Sequence, residues 1–161
     1  MYLVLSWGCK SRKPFFSRLS VHFIVLPGPK LDRPIFLGTS GSRSDEHSLC
    51  VSFTEDPLPT LHAPTTEIVW ITAKTGAFTD KVVTALDRLA GFGNDPHSPT
   101  IGTAYGKVLD EPGMFLVLMG WTSVEEHYST REDKAYKLGE IATELMGLAD
   151  VKLAHVHFRA A

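Results

Sequence analysis

Two stretches of this chain, Glu67–Lys74 and Met114–Trp121, are apolar at odd and even positions alike. Side chains alternate between the faces of a strand, so a strand of this kind has to be covered on both sides and belongs at the centre of a sheet. That requirement constrains every other element.

Between and around these strands the pattern changes period. Thr79 is an N-cap candidate with Phe78 placed to staple onto Val83, and Val82, Val83, Leu86, Leu89 and Ala90 form an inward helical stripe that Gly91 and Gly93 stop. The loop 94–99 leads to Ile101–Val108, which is less continuously apolar and suits an edge strand. Glu111-Pro112-Gly113 has the residues of a type II turn and makes a hairpin with Met114–Trp121. Ser123-Val-Glu-Glu126 reads as a capping box that opens a short helix carrying His127, and Thr130–Asp133 can restart it. Ala135, Leu138, Ile141, Ala142 and Leu145 give the second helix its stripe, with Gly147 as its stop, and Val151–Phe158 closes the fold as the other edge strand.

The order is β-α-β-β-α-β, an α+β, ferredoxin-like arrangement with both helices on one side of an antiparallel sheet. No further element in residues 66–161 is left to cover the second apolar face. A second copy would supply the cover, so the pattern predicts a homodimer whose two sheets enclose a dimeric α/β barrel.

Residues 1–65 read differently. The first 31 residues carry five bases and no acid, as an organelle transit segment does, but Pro14, Pro27 and Pro29 interrupt any long amphipathic helix. From Pro27 to Pro64 the chain is rich in Pro, Gly, Ser and Thr, and Gly38–Asp45 is its least patterned part. These residues are expected to be a poorly ordered leader, or a wrongly spliced one, ahead of a folded domain at 66–161. A net charge of -2 leaves no electrostatic footprint for nucleic acid, and no run is long enough for a membrane-spanning helix, so a cytoplasmic protein is expected unless residues 1–31 direct it to an organelle. Cys9 and Cys50 lack the spacing of a metal site, and inert thiols are expected.

The candidate chemistry gathers at the end of the chain. In Val151-Lys-Leu-Ala-His155-Val-His157-Phe158 the i, i+2 spacing sends both imidazoles to one face, away from Ala154, Val156 and Phe158, which are expected to meet the helices. On the enclosed side a neutral imidazole can take a proton from a phenol or an activated methylene, with Tyr105 orienting or protonating an oxygen. The bland alternative is that one histidine bonds a backbone carbonyl or crosses the dimer interface. Two strand histidines without a neighbouring carboxylate do not make a metal site, and no cofactor signature is present. Trp70 and Trp121 fill core or stack on a flat aromatic ligand, and His97 lies in a loop that can cover a cavity mouth. Glu126 is accounted for by its cap.

The phrases Thr66-Glu-Ile-Val-Trp70, Gly120-Trp-Thr-Ser-Val-Glu-Glu-His127 and Ala154-His-Val-His-Phe158 resemble the dimeric α/β-barrel proteins related to antibiotic-biosynthesis monooxygenase domains, in particular their fungal branch, mostly of unassigned function. The resemblance spans residues 66–158. It implies a dimeric barrel and adds His127 to the candidate catalytic residues, although a helix-start histidine is by default solvated or locally bonded. It does not imply one activity, because the fold hosts cofactor-independent monooxygenases, polyketide cyclases, decarboxylases, haem enzymes and proteins without known chemistry. Two functions are therefore expected as alternatives. One is a small tailoring enzyme acting on an aromatic or polyketide-like substrate with a cavity histidine as general base. The other is a non-catalytic barrel that binds a small apolar ligand or serves a stress-related role.

Overall fold

The computed structural model describes residues 2–8, 22–26, 46–74 and 79–158. Their strands form one antiparallel sheet in the order β2-β1-β3-β5-β6-β4-β7. In chain order these are β1 (Tyr2–Gly8), β2 (His22–Leu26), β3 (Glu46–Phe53), β4 (Thr65–Ala73), β5 (Gly102–Val108), β6 (Met114–Trp121) and β7 (Ala149–Val156). The helices are α1 (Leu58–Leu61), α2 (Thr79–Gly93), α3 (Val124–Glu132) and α4 (Leu138–Leu148), with a 3-10 turn at Lys134–Tyr136. The ferredoxin-like unit is β4-α2-β5-β6-α3/α4-β7, and the two-sided strands β4 and β6 lie side by side inside it.

Local chemistry sets the joints. The hairpin between β5 and β6 is the expected type II turn: Gly113 takes φ +78, and Met114 N donates to Glu111 O at 3.0 Å. At α3 half of the capping box forms. Ser123 accepts from Glu126 N at 3.2 Å, while the Glu126 carboxylate is engaged by the Thr122 hydroxyl. Asp133 ends α3 and caps the 3-10 turn through Ala135 N at 2.9 Å. Lys137, left-handed at φ 56, then redirects the chain into α4. Gly147 does not stop α4, which runs on to Leu148 and passes directly into β7. Phe78, the expected staple residue, lies outside the described residues.

The helix side of the sheet holds Val69, Ile71, Phe115, Val117, Met119 and Trp121 against Val82, Leu86 and Leu89 of α2 and Leu138, Ile141 and Leu145 of α4. The opposite side carries a second core: Ile68, Ala104, Val108, Leu116 and Leu118 pack with Val51, Phe53 and Leu61. That second core corrects three expectations. Residues 1–65 are not simply an unstructured leader, since β3 pairs with β5 from Val51↔Val108 to Phe53↔Gly106 and α1 folds across the sheet. β5 is accordingly not an edge strand. And Ile68, Leu116 and Leu118, at most 1% exposed, are covered from within the chain, so the face expected to await a second subunit is filled at these positions.

The cover is tightly fitted. Thr66 donates from its hydroxyl to Thr60 O at 2.6 Å, and a Cβ on Gly120 would come within 2.9 Å of the Ala63 Cβ. A Cβ on Gly106 would lie 2.4 Å from Ser52 O, so only glycine admits β3 this closely. The expected disordered stretch Gly38–Asp45 lies outside the described residues. Among the described residues no helix is long and apolar enough to cross a membrane.

Candidate functional site

Glu67 is the anomaly of the helix side. It precedes Val69 and Ile71 on the same face of β4 and is only 4% exposed. Directly opposite it on β7 is His155. Strand alternation thus places Val151, Leu153 and His155 under the helices, whereas Val156 and Phe158 pack with the second core. This reverses the expected assignment of faces. Period-2 spacing separates the two sets correctly, but both are apolar enough to meet a core, and spacing alone does not say which side carries the helices.

α3 brings the third group. His127, 3% exposed, sits with Nε2 3.5 Å from Glu67 Oε2 and Nδ1 3.0 Å from His155 Nε2. The Trp121 indole donates to Glu67 Oε2 at 3.0 Å. The Tyr128 ring, half exposed, lies 5.0 Å from the His127 ring and 5.8 Å from the His155 ring. The result is a line of three titratable groups, carboxyl, imidazole, imidazole, that starts inside the core and ends at the half-buried His155.

The electrostatics follow from burial. Desolvation pushes the Glu67 carboxyl up to about 7, against the lowering effects of the Trp121 hydrogen bond and the Arg131 charge. Desolvation, then His155 and Arg131, push His127 down to about 4. His155 is lowered as well, by burial first and His157 second. At neutral pH both imidazoles are neutral and Glu67 is poised between its two states.

Glu67, His127 and Arg131 line a cavity of about 70 Å³ between the sheet and α4, whose other walls include Val69, Met119 and Leu145. His155 does not line it and acts on it only through His127. The remaining sequence candidates lie elsewhere. His157 is exposed beyond the end of β7, its Nδ1 2.6 Å from Pro64 O. Tyr105 lines a separate, wider cavity of about 530 Å³ beside α2, where its hydroxyl bonds Asp87 and burial with that carboxylate pushes it up to about 12. Trp70 packs with the second core, Trp121 is fully buried as the partner of Glu67, and His97 sits exposed in the α2–β5 loop. Glu67 and Arg131 are the site residues that the sequence reading missed. An acid standing in register with Val69 and Ile71 on a strand buried on both sides was the available signal.

No protein-family model matches the sequence, nor does any curated protein at a significant level. Solved structures do match. A Bacteroides thetaiotaomicron protein of unknown function, described as a possible oxidoreductase, superposes with TM-score 0.52 at 13% identity over 60% of this chain and 99% of its own. SnoaB, a cofactor-independent oxygenase from Streptomyces nogalater, gives 0.51 at 13% identity over 60% of this chain and 94% of its own. A candidate monooxygenase from Lactobacillus acidophilus gives 0.51 at 10% identity over 70% of this chain and 52% of its own. With its antiparallel sheet and with α2 and α4 packed on one side of it, the chain has the ferredoxin-like α+β fold of these structures.

Proposed function

We propose that the protein is a small tailoring enzyme that removes a proton from an aromatic or polyketide-like substrate without a resident organic cofactor. The observation that carries this is the Glu67–His127 pair, a carboxyl held near pKa 7 beside a neutral imidazole in the wall of a cavity. A base works best when its pKa lies near the operating pH, and Glu67 is placed there by burial.

With the His127 Nδ1 proton donated to His155 Nε2, the His127 Nε2 lone pair faces Glu67. A phenol or activated methylene gives its proton to this pair, and the proton comes to rest on Glu67, the more basic member. His155 is a positioning residue that holds the tautomer. The anion left behind is the species that dioxygen attacks in cofactor-free oxygenation, or that closes a ring. Decarboxylation would use the pair in the opposite sense, to protonate a carbanion. The likeness to SnoaB supports the oxygenation branch by analogy of fold.

A cavity of about 70 Å³ is well below the roughly 300–1,000 Å³ of pockets that hold drug-sized ligands. A substrate of that size is therefore larger than the cavity as it stands, and its entry requires the cavity to widen. The small cavity is the observation that favours the second function, a non-catalytic protein binding a small apolar ligand. Oxygen uptake and product formation across a panel of phenolic polycyclic substrates, without added cofactor, distinguish the two. Glu67→Gln should lower turnover by about a hundredfold or more while the protein stays folded. No turnover on any member, with tight ligand binding retained, replaces the enzyme by the binding protein.

A further inference from the structure

Glu67, His127 and His155 each present one donor atom, and the three atoms lie within 4.8 Å of one another. We propose that these residues form a binding site for a divalent transition-metal ion, with zinc as the ion of choice and water completing the coordination. The inference goes beyond the proposed reaction and needs no substrate.

The geometry carries it first. Two imidazole nitrogens on one tetrahedral zinc, each at about 2.0–2.1 Å, stand about 3.3 Å apart. His155 Nε2 and His127 Nδ1 are 3.0 Å apart, so replacing the proton between them by an ion spreads the rings by a few tenths of an ångström. The second support is the carboxyl. Among the described residues its partners are the Trp121 indole, on Oε2, and His127 Nε2, also nearest Oε2. A buried carboxylate with so few donors is a strong ligand for a cation. Two imidazoles and one carboxylate suit zinc, iron, nickel or copper and disfavour magnesium and calcium, which want an all-oxygen shell. The three ligands come from β4, α3 and β7; β4 and β7 are held by the helix-side core and His127 of α3 is itself buried, so little reorganisation opposes binding.

A bound ion and the proton-accepting pair exclude each other, because coordination through His127 Nδ1 leaves the ring proton on Nε2, which then faces Glu67 as a donor and no longer offers a lone pair. Zinc should therefore inhibit any turnover that rests on Glu67 and His127. The test of the site itself needs no activity.

The full chain, purified without a histidine tag and stripped with chelator, is dialysed against zinc, and bound metal is counted by mass spectrometry. One zinc per chain is expected, with binding weakened by about tenfold or more in Glu67→Gln and His155→Gln. His157→Gln should bind as the parent does. X-ray absorption of the zinc-loaded parent chain, which needs no variant to fold, should show two imidazole ligands. Absence of retained zinc, a spectrum with fewer than two imidazoles, equal binding of magnesium, or loss of zinc only in His157→Gln would overturn the assignment.

Discussion

The Trp121 indole donates a hydrogen bond to Glu67 Oε2 at 3.0 Å, across two neighbouring strands and wholly inside the core. The bond stabilises the ionised carboxylate in a place where burial opposes ionisation. Trp121→Phe keeps the aromatic volume and removes the donor. The Glu67 pKa should rise further above 7, and stability above that pH should fall by about 1–3 kcal/mol. Chemical denaturation at pH 8 and carboxyl titration by NMR check both effects.

Glu67 and His127 give opposite pH dependences of stability. The folded pKa of Glu67 is raised from 4.5 to about 7, so its contribution is fully present below 4.5 and is lost as pH rises through 7. The folded pKa of His127 is lowered from 6.5 to about 4, so its contribution is present above 6.5 and is lost as pH falls through 4. Between about 4.5 and 6.5 the two slopes oppose, and the parent protein should show a plateau. Glu67→Gln should make stability rise with pH across that window, and His127→Gln should make it fall, by on the order of 2–3 kcal/mol in each case. Urea titrations at half-unit pH steps in the presence of a chelator measure the slopes; parallel curves for all three proteins would contradict the assignment.

The proposed reaction should quicken as pH rises through about 7, where Glu67 loses its proton. His155→Gln should lower turnover by about tenfold and move that pH midpoint, since it changes the hydrogen bond that holds His127 rather than the accepting pair. Tyr105→Phe should leave turnover within about threefold, because its hydroxyl serves Asp87 in a different cavity. A pH–rate profile of the three proteins on one substrate checks all of this.

Removing residues 1–65 would strip Val51, Phe53 and Leu61 from Ile68, Leu116 and Leu118. The fragment 66–161 should melt more than about ten degrees below the full chain, and it should self-associate through the bared face. Gly106→Ala, which forces a methyl against Ser52 O, should cost about 1–3 kcal/mol by prising β3 from β5. Light scattering and thermal melts of the two variants beside the parent are sufficient.

The core unit was legible because its signals are local: Pro112-Gly113 for the hairpin, Ser123 for the α3 cap, and two-sided apolar strands for the sheet centre. What composition hid is β3. Leu49, Val51 and Phe53 alternate with Ser48, Cys50 and Ser52, a strand period inside a segment whose Pro, Gly and Ser content suggests a loop. The site was half legible. His127 and His155 were picked out, but their meeting depends on which side of β7 the helices occupy, a tertiary fact. Glu67 escaped notice because a single acid among apolar neighbours reads as a strand-end charge until its burial is known.

The strands that oppose Glu67 and His155, β4 and β7, are the first and last of the ferredoxin-like unit, yet they are neighbours in the sheet. During synthesis, β4 has to wait for β7 while everything between them emerges, with its unpaired edge and its acid exposed. Contacts this distant along the chain form late and slowly. A chain that ends short of His155 has the hairpin and the helices but lacks the third group of the line, so Glu67 and His127 gain that partner only once the last strand is in place.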